Sequence, residues 1–98
     1  HVNLGAGTIL SNVKNVGREV TFHHEGAVVH TGLRKFGAIL GDDCKTGCNT
    51  VLNPGVLIGP GCVTYPNATL RGGYYPAGTL VKVRQNQHMM EMARLKRE

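Results

Sequence analysis

The sequence predicts an all-β protein, a parallel β-helix whose sides are built from six-residue repeats. The first indication is the spacing of two turn-forming pairs, Pro54-Gly55 and Pro60-Gly61, which stand six residues apart. The second is that aliphatic residues recur between these turns at the same period. The third is the composition, with 14 Gly, no Trp and 5% aromatic residues in 98. A chain with so few large side chains suits a narrow, regular architecture better than a bulky globular core.

Residues 40–73 carry the repeat most clearly, since they divide into the hexads LGDDCK, TGCNTV, LNPGVL, IGPGCV and TYPNAT, followed by LRGG. The first position is aliphatic or threonine: Leu40, Thr46, Leu52, Ile58, Thr64 and Leu70. The fifth is small or β-branched: Cys44, Thr50, Val56, Cys62 and Ala68. We expect the first-position side chains to fill the interior of a triangular coil and the fifth-position ones to pack near its corners. The second position, which we expect to take left-handed turn conformations, is glycine or asparagine: Gly41, Gly47, Asn53 and Gly59.

The same phase is present near the N-terminus, in four residues: Leu4, Gly5, Thr8 and Leu10. Residues 1–13 are therefore predicted to hold the first hexads and residues 39–83 the main repeats. Stacked coils of this kind bury their interiors against one another, so the chain is predicted to form a single domain over residues 1–98 with about three coils.

Residues 14–38 interrupt the repeat and are predicted to form a β-hairpin insert with a basic re-entry loop. Glu19–His23 and Ala27–Thr31 are rich in β-prone residues, and Glu25-Gly26 stands at the turn between them. The hairpin carries three imidazoles: His23, His24 and His30. Side chains of this kind are more often solvated or turned toward a partner than catalytic. A base that the insert supplies to a neighbouring subunit is the open alternative.

Residues 85–98 contain strong helix formers. Three or four residues separate the members of one helical face, which are Met89, Met92, Ala93 and Leu95 or Lys96. They predict a short C-terminal α-helix whose methionine face packs in a core or an interface. The net charge of +5 is concentrated here, because residues 82–98 hold five basic and two acidic side chains. A solvated helix face explains this charge most simply, and a basic tail that binds an acidic partner is the alternative.

Several classes of function find no support in the composition. No basic patch interleaved with aromatic residues is present, so nucleic acid is not expected as a partner. No apolar run of transmembrane length and no signal-peptide pattern occurs, so no membrane partner is expected. The three cysteines are an odd number, which indicates free thiols in a reducing cytoplasm. Cys44 and Cys48 lack the tight zinc spacing and fall in different columns of the repeat, so no metal is expected.

Three segments carry a resemblance to a known family: NLGAGTILSN at Asn3–Asn12, LRKFGAILGDDCKTGCN at Leu33–Asn49, and the NPGVLIGPG run that follows. In order and spacing they resemble the C-terminal hexapeptide-repeat domain of the sugar-1-phosphate nucleotidyltransferase/glucosamine-1-phosphate acetyltransferase family, over about residues 2–84. The resemblance implies a left-handed β-helix that transfers acetyl from acetyl-CoA to an amino-sugar phosphate. It also implies a homotrimer with ligand sites between subunits, and a chain that is a fragment of, or remnant from, a longer transferase.

The resemblance also implies site residues. Asn12 and Lys35 would bind the phosphorylated sugar, and Cys48, Lys82 and Arg84 would bind the CoA co-substrate. The family's catalytic histidine falls upstream of His1, so no catalytic residue is assigned. Val13 stands where the family has tyrosine. These two departures keep open a non-catalytic alternative, the oligomerisation module of a sugar nucleotidyltransferase.

Overall fold

The computed structural model describes residues 1–14 and 17–83, and shows a parallel β-helix of short strands. The predicted left-handed, hexapeptide-repeat fold class is confirmed. The strands are β1 Asn3–Leu4, β2 Ile9–Leu10, β3 Thr21–His24, β4 Ala27–His30, β5 Ile39–Leu40, β6 Lys45–Thr46, β7 Val51–Leu52, β8 Val56–Ile58, β9 Val63–Thr64, β10 Thr69–Leu70, β11 Gly73–Tyr75 and β12 Leu80–Val81. The predicted helix at residues 85–98 lies outside the described residues.

Three parallel sheets form the sides of a triangular prism. Face A stacks β1, β6, β9 and β12; face B stacks β2, β7 and β10; and face C stacks β5, β8 and β11. The chain visits A, B and C in turn, so β1, β2 and β5 make the first coil, and β12 begins a fourth. Each coil therefore pairs its backbone with the next along the axis, at the spacing of about 4.8 Å usual for paired strands.

The interior is built from the first and fifth hexad positions, as the period predicts. One apolar cluster runs along the axis and comprises Cys44, Leu52, Val56, Ile58, Cys62, Ala68 and Leu70. Three threonines at the same positions, Thr46, Thr50 and Thr64, are also buried. The two columns were predictable because position in a six-residue side fixes which side chains point inward.

Buried polar atoms at these positions tie one coil to the next. The Cys44 thiol donates to the Gly59 carbonyl at 3.1 Å, and the Cys62 thiol donates to the Pro76 carbonyl at 3.1 Å. The hydroxyls of Thr50 and Thr64 lie 3.0 Å apart, again in successive coils. Because buried polar groups are costly when unpaired, these contacts explain how a narrow core accommodates hydroxyls and thiols.

The prediction for the second hexad position is wrong, since the left-handed residues occupy the fourth position. Positive φ angles run from 59° to 89° at Asp43, Asn49, Gly55, Gly61 and Asn67. The second-position glycines are needed because successive coils approach closely. A Cβ on Gly41 would lie 2.6 Å from the backbone nitrogen of Pro60 in the next coil. The fourth column thus supplies the left-handed turn residues, and the second column supplies the residues that lie close to the next coil.

The insert leaves the first coil after β2 and packs against the outside of face C. Glu25 and Gly26 join β3 to β4 with φ angles of 48° and 80°, the two positive values of a type I′ hairpin turn. β3 begins two residues later and ends one residue later than predicted, whereas β4 begins as predicted and ends one residue earlier. Phe22 is buried, and its ring meets that of Phe36 edge to face at 5.3 Å. β3 also contacts β8 and β11 of face C, so the hairpin is held by its own chain's coils.

Candidate functional site

Asn12 and Lys35, the predicted sugar-binding residues, meet at the base of the insert. An isolated antiparallel bridge pairs Val13 with Lys35. The Phe36 N–H donates to the Asn12 carbonyl at 2.9 Å, which fixes the neighbouring pair. Both predicted side chains are exposed. The fold thus brings the two chain segments together at the corner that follows face B.

The side chains of these two residues project from opposite sides of the bridge. Successive residues of an extended strand alternate, and directly paired residues share a side. Lys35 therefore lies on the side of Val13, and Asn12 on the side of Phe36. Phe36 is half-buried against the hairpin and Lys35 is exposed, which agrees with this assignment. The sequence did not predict on which side each residue projects, because the pairing of Val13 with Lys35 depends on how the insert folds.

Cys48 and Lys82, two of the predicted CoA-binding residues, lie along another edge, the corner between faces A and B. Cys48 follows β6 in the second coil and is exposed. Val81 pairs with Thr64, so Lys82 follows face A two coils beyond Cys48. Strand spacing places the two positions about 10 Å apart along the axis. Arg84 lies outside the described residues.

Face B separates these two sets of residues. Cys48 precedes β7 on this face, whereas Asn12 follows β2 at the other end of the same face. The two corners are separated by one side of the triangular coil. That side holds about six residues, and each of its strand residues adds roughly 3.3 Å to the distance. Within one chain the predicted sugar and CoA residues therefore belong to two different edges.

Sequence reasoning missed a third polar feature beside the insert, the pair of Glu19 and His30. The His30 Nδ1 donates to Glu19 Oε1 at 2.7 Å, and the Gly32 N–H donates to Glu19 Oε2 at 2.8 Å. These hydrogen bonds hold the pKa of Glu19 below its ordinary value, and the one from His30 has the largest effect. The nearby Lys14 charge acts in the same direction. The pairing follows from the hairpin register, in which Thr21 is opposite His30.

An open groove of about 460 Å³ lies between the hairpin and face C. Its lining is nearly all apolar, and includes Phe22, Val29, Ile39, Leu57, Pro60 and Tyr74. His24 borders it, with its ring edge-to-face on Tyr74 at 4.5 Å. Such a groove can receive an apolar group but offers little to orient a charged one.

In residues 1–14 and 17–83, no three His, Cys, Asp or Glu side chains are grouped so that they could hold a metal ion. Within those ranges there is also no helix of the length and apolarity required to cross a bilayer.

Known proteins match this chain over the repeat and beyond it. Residues 37–72 match the family described as bacterial transferase hexapeptide (six repeats). The chain is 39% identical over 69 residues to a bifunctional sugar-1-phosphate nucleotidylyltransferase/acetyltransferase of Sulfurisphaera tokodaii, covering 70% of this chain and 17% of that protein. It is 38% identical over 65 residues to the bifunctional protein GlmU of Methanococcus vannielii, covering 66% and 16%. A GlmU of Methanococcus maripaludis is 40% identical over 57 residues, covering 58% and 14%.

The chain therefore carries bacterial transferase hexapeptide repeats, and the predicted resemblance to the repeat domain of the sugar-1-phosphate nucleotidyltransferase/acetyltransferase family is confirmed. It spans 14–17% of the length of these three relatives.

Proposed function

We propose that this chain is an acetyl-CoA-dependent N-acetyltransferase domain that acts on an amino-sugar phosphate in the cytoplasm. The name of one relative supports a transferase of this kind, since it is a bifunctional sugar-1-phosphate nucleotidylyltransferase/acetyltransferase. In the reaction, the sugar amine attacks the thioester carbonyl, the N–C bond forms, the C–S bond breaks, and the amine gives up a proton as CoA leaves as its thiol.

The observation that carries the proposal is the division of the predicted site between two edges. Asn12 and Lys35 lie at the base of the insert, and Cys48 and Lys82 along the corner between faces A and B. Acetyl transfer requires the amine and the thioester in contact. A homotrimer with parallel axes would set one subunit's Cys48 edge against its neighbour's insert, and the complete site would then lie between subunits.

Each side chain has a role suited to its chemistry. The Asn12 amide would hydrogen-bond sugar hydroxyls, and the cation of Lys35 would attract the sugar phosphate. Cys48 is a small residue that lets the thioester approach the backbone. Lys82 and Arg84 would form ion pairs with the CoA phosphates, because both side chains are long and carry a positive charge.

Isothermal titration of the purified chain tests the proposal. Acetyl-CoA and glucosamine 1-phosphate should each bind with one site per chain. Lys82→Met should weaken the binding of acetyl-CoA and leave the affinity for the sugar phosphate unchanged. Lys45→Met, on the outer surface of face A, is the matched control. If addition of acetyl-CoA or of glucosamine 1-phosphate at millimolar concentration releases no heat, the proposal is contradicted.

Product formation separates this function from the non-catalytic alternative. Mixing the chain with both ligands should release the CoA thiol, which a thiol reagent detects, and should add an acetyl group to the sugar by mass spectrometry. A trimer that binds neither ligand and releases no thiol would instead be an oligomerisation module.

A further inference from the structure

The corner between faces A and B carries a column of residues that changes in character along the axis. Each member directly follows a residue paired within face A, and in successive coils the members are Gly5, Gly47, Tyr65 and Lys82. The first two have no side chain, the third is aromatic and the fourth is a cation. A ligand that runs along this corner from Cys48 to Lys82 therefore passes Tyr65.

Short backbone contacts fix Tyr65 between the coil of Cys48 and the coil of Lys82. A Cβ on Gly47, the residue before Cys48, would lie 2.6 Å from the carbonyl carbon of Tyr65. On the other side, the Tyr65 N–H donates to the Val81 carbonyl at 2.9 Å. Strand spacing then puts Tyr65 about 4.8 Å along the axis from each of these coils.

The ring of Tyr65 lies on the outside of the prism. Its side chain is 43% exposed, whereas the interior of the same coil is filled by Cys62, Thr64 and Ala68, which are buried. Because Gly47 has no side chain, the corner beside the ring is open down to the backbone. An exposed tyrosine combines an apolar ring with a hydroxyl, which suits a ligand that is partly apolar and partly amide.

We infer that Tyr65 binds the pantetheine arm of acetyl-CoA, between the thioester at Cys48 and the phosphates at Lys82. The inference rests on the proposed function and adds a residue to its co-substrate site. The pantetheine arm joins the thioester of acetyl-CoA to the pyrophosphate, so it crosses the part of the corner that Tyr65 occupies. The ring packs against the apolar carbons of the arm, and the hydroxyl forms a hydrogen bond with one of its amides.

Two variants measured against three ligands test this assignment, with affinities from titrations followed by NMR. Tyr65→Ser should weaken the binding of acetyl-CoA and of pantetheine by about fivefold or more, because it removes the apolar contact of the ring. Its affinity for adenosine 3′,5′-bisphosphate, which has no pantetheine arm, should be unchanged. Lys82→Met should show the opposite pattern. It should weaken the binding of acetyl-CoA and of the bisphosphate and leave the affinity for pantetheine unchanged.

A conservative variant and a second ligand are the controls. Tyr65→Phe keeps the ring and should bind pantetheine within about threefold of the unmodified chain, since it loses at most one hydrogen bond. Tyr65→Ser should bind glucosamine 1-phosphate as the unmodified chain does, because the predicted sugar residues lie at the base of the insert. Circular dichroism should show the same fold for all variants, since Tyr65 and Lys82 are exposed.

The outcomes separate this inference from the proposed function. Equal affinities of Tyr65→Ser and the unmodified chain for acetyl-CoA would overturn the inference and leave the proposed function standing. Equal losses for pantetheine and the bisphosphate would also overturn it, because they indicate a general disturbance of the site. If the unmodified chain binds no acetyl-CoA, the proposed function fails, and pantetheine alone then becomes the probe. Pantetheine-dependent NMR shifts of the Cys48 amide that disappear in Tyr65→Ser would still support the contact, and their absence would reject it.

Discussion

Glu19 and His30 form a carboxylate–imidazole pair across the base of the hairpin, with 2.7 Å between Oε1 and Nδ1. The pair follows from the register of β3 and β4, which sets Glu19 diagonally from His30 on the outward face of the hairpin. The second carboxylate oxygen accepts the Gly32 N–H at 2.8 Å. Glu19 thus links the two ends of the hairpin at the base of the insert.

Removal of the Glu19 charge should have a pH-dependent effect. The folded pKa of Glu19 lies below its ordinary value of 4.5 because His30 and Gly32 hydrogen-bond its charged form. Its stabilisation is therefore fully present above 4.5 and is lost as pH falls through the lower folded value. Glu19→Gln should lower the thermal midpoint slightly at about pH 6 and match the unmodified chain at about pH 2. An equal loss at both pH values would contradict the assigned role of the carboxylate.

The assignment of the inward-pointing hexad positions can be tested with one buried leucine and one exposed leucine. Leu52 is fully buried and Leu80 is 48% exposed, although both lie in strands of the coil. Leu52→Ala should cost about 2–5 kcal/mol of unfolding free energy, because it opens a cavity in the narrow core. Leu80→Ala should cost less than about 1 kcal/mol. Urea unfolding gives both values, and similar losses would be incompatible with the hexad register.

The different demands on the second and fourth hexad positions give another prediction. Gly61 has a φ of 71° and open space around its Cβ position, and Asn67 already adopts a similar φ of 64°. Gly61→Asn should therefore change stability by less than about 1 kcal/mol. Gly41→Ala should cost about 1–3 kcal/mol, because the new Cβ meets the backbone of Pro60. If thermal melts reverse this order, the assignment of turn and contact columns is wrong.

The extent to which sequence predicted the fold depends on how local each feature is. The interior columns followed from the period alone, since inward direction recurs every six residues, as at Leu52 and Ile58. The left-handed column was misassigned because glycine serves both turns and close approaches. Gly41 is required by the next coil, which the hexad itself does not display. The hairpin turn at Glu25 and Gly26 was predictable because its two residues are sufficient to specify it.

The candidate site was less predictable, because it depends on contacts distant in the chain. Resemblance assigned Lys35 a role, but the side of the bridge on which it projects depends on its pairing with Val13. His30 was recognised as a candidate without its partner, since Glu19 becomes its neighbour only in the hairpin register.

The central claim is that the Cys48 edge of one subunit meets the insert of another, and cross-linking in a mixed oligomer tests it most directly. Cys48 is exposed whereas Cys44 and Cys62 are buried, so a short reagent that joins a thiol to an amine should react first at Cys48. Isotope-labelled and unlabelled chains are mixed, treated, digested and analysed by mass spectrometry, with Cys48→Ser as the control. Peptides joining Cys48 of one chain to Lys35 of another are the predicted result. A monomeric chain, or links formed only within single chains, would contradict the account.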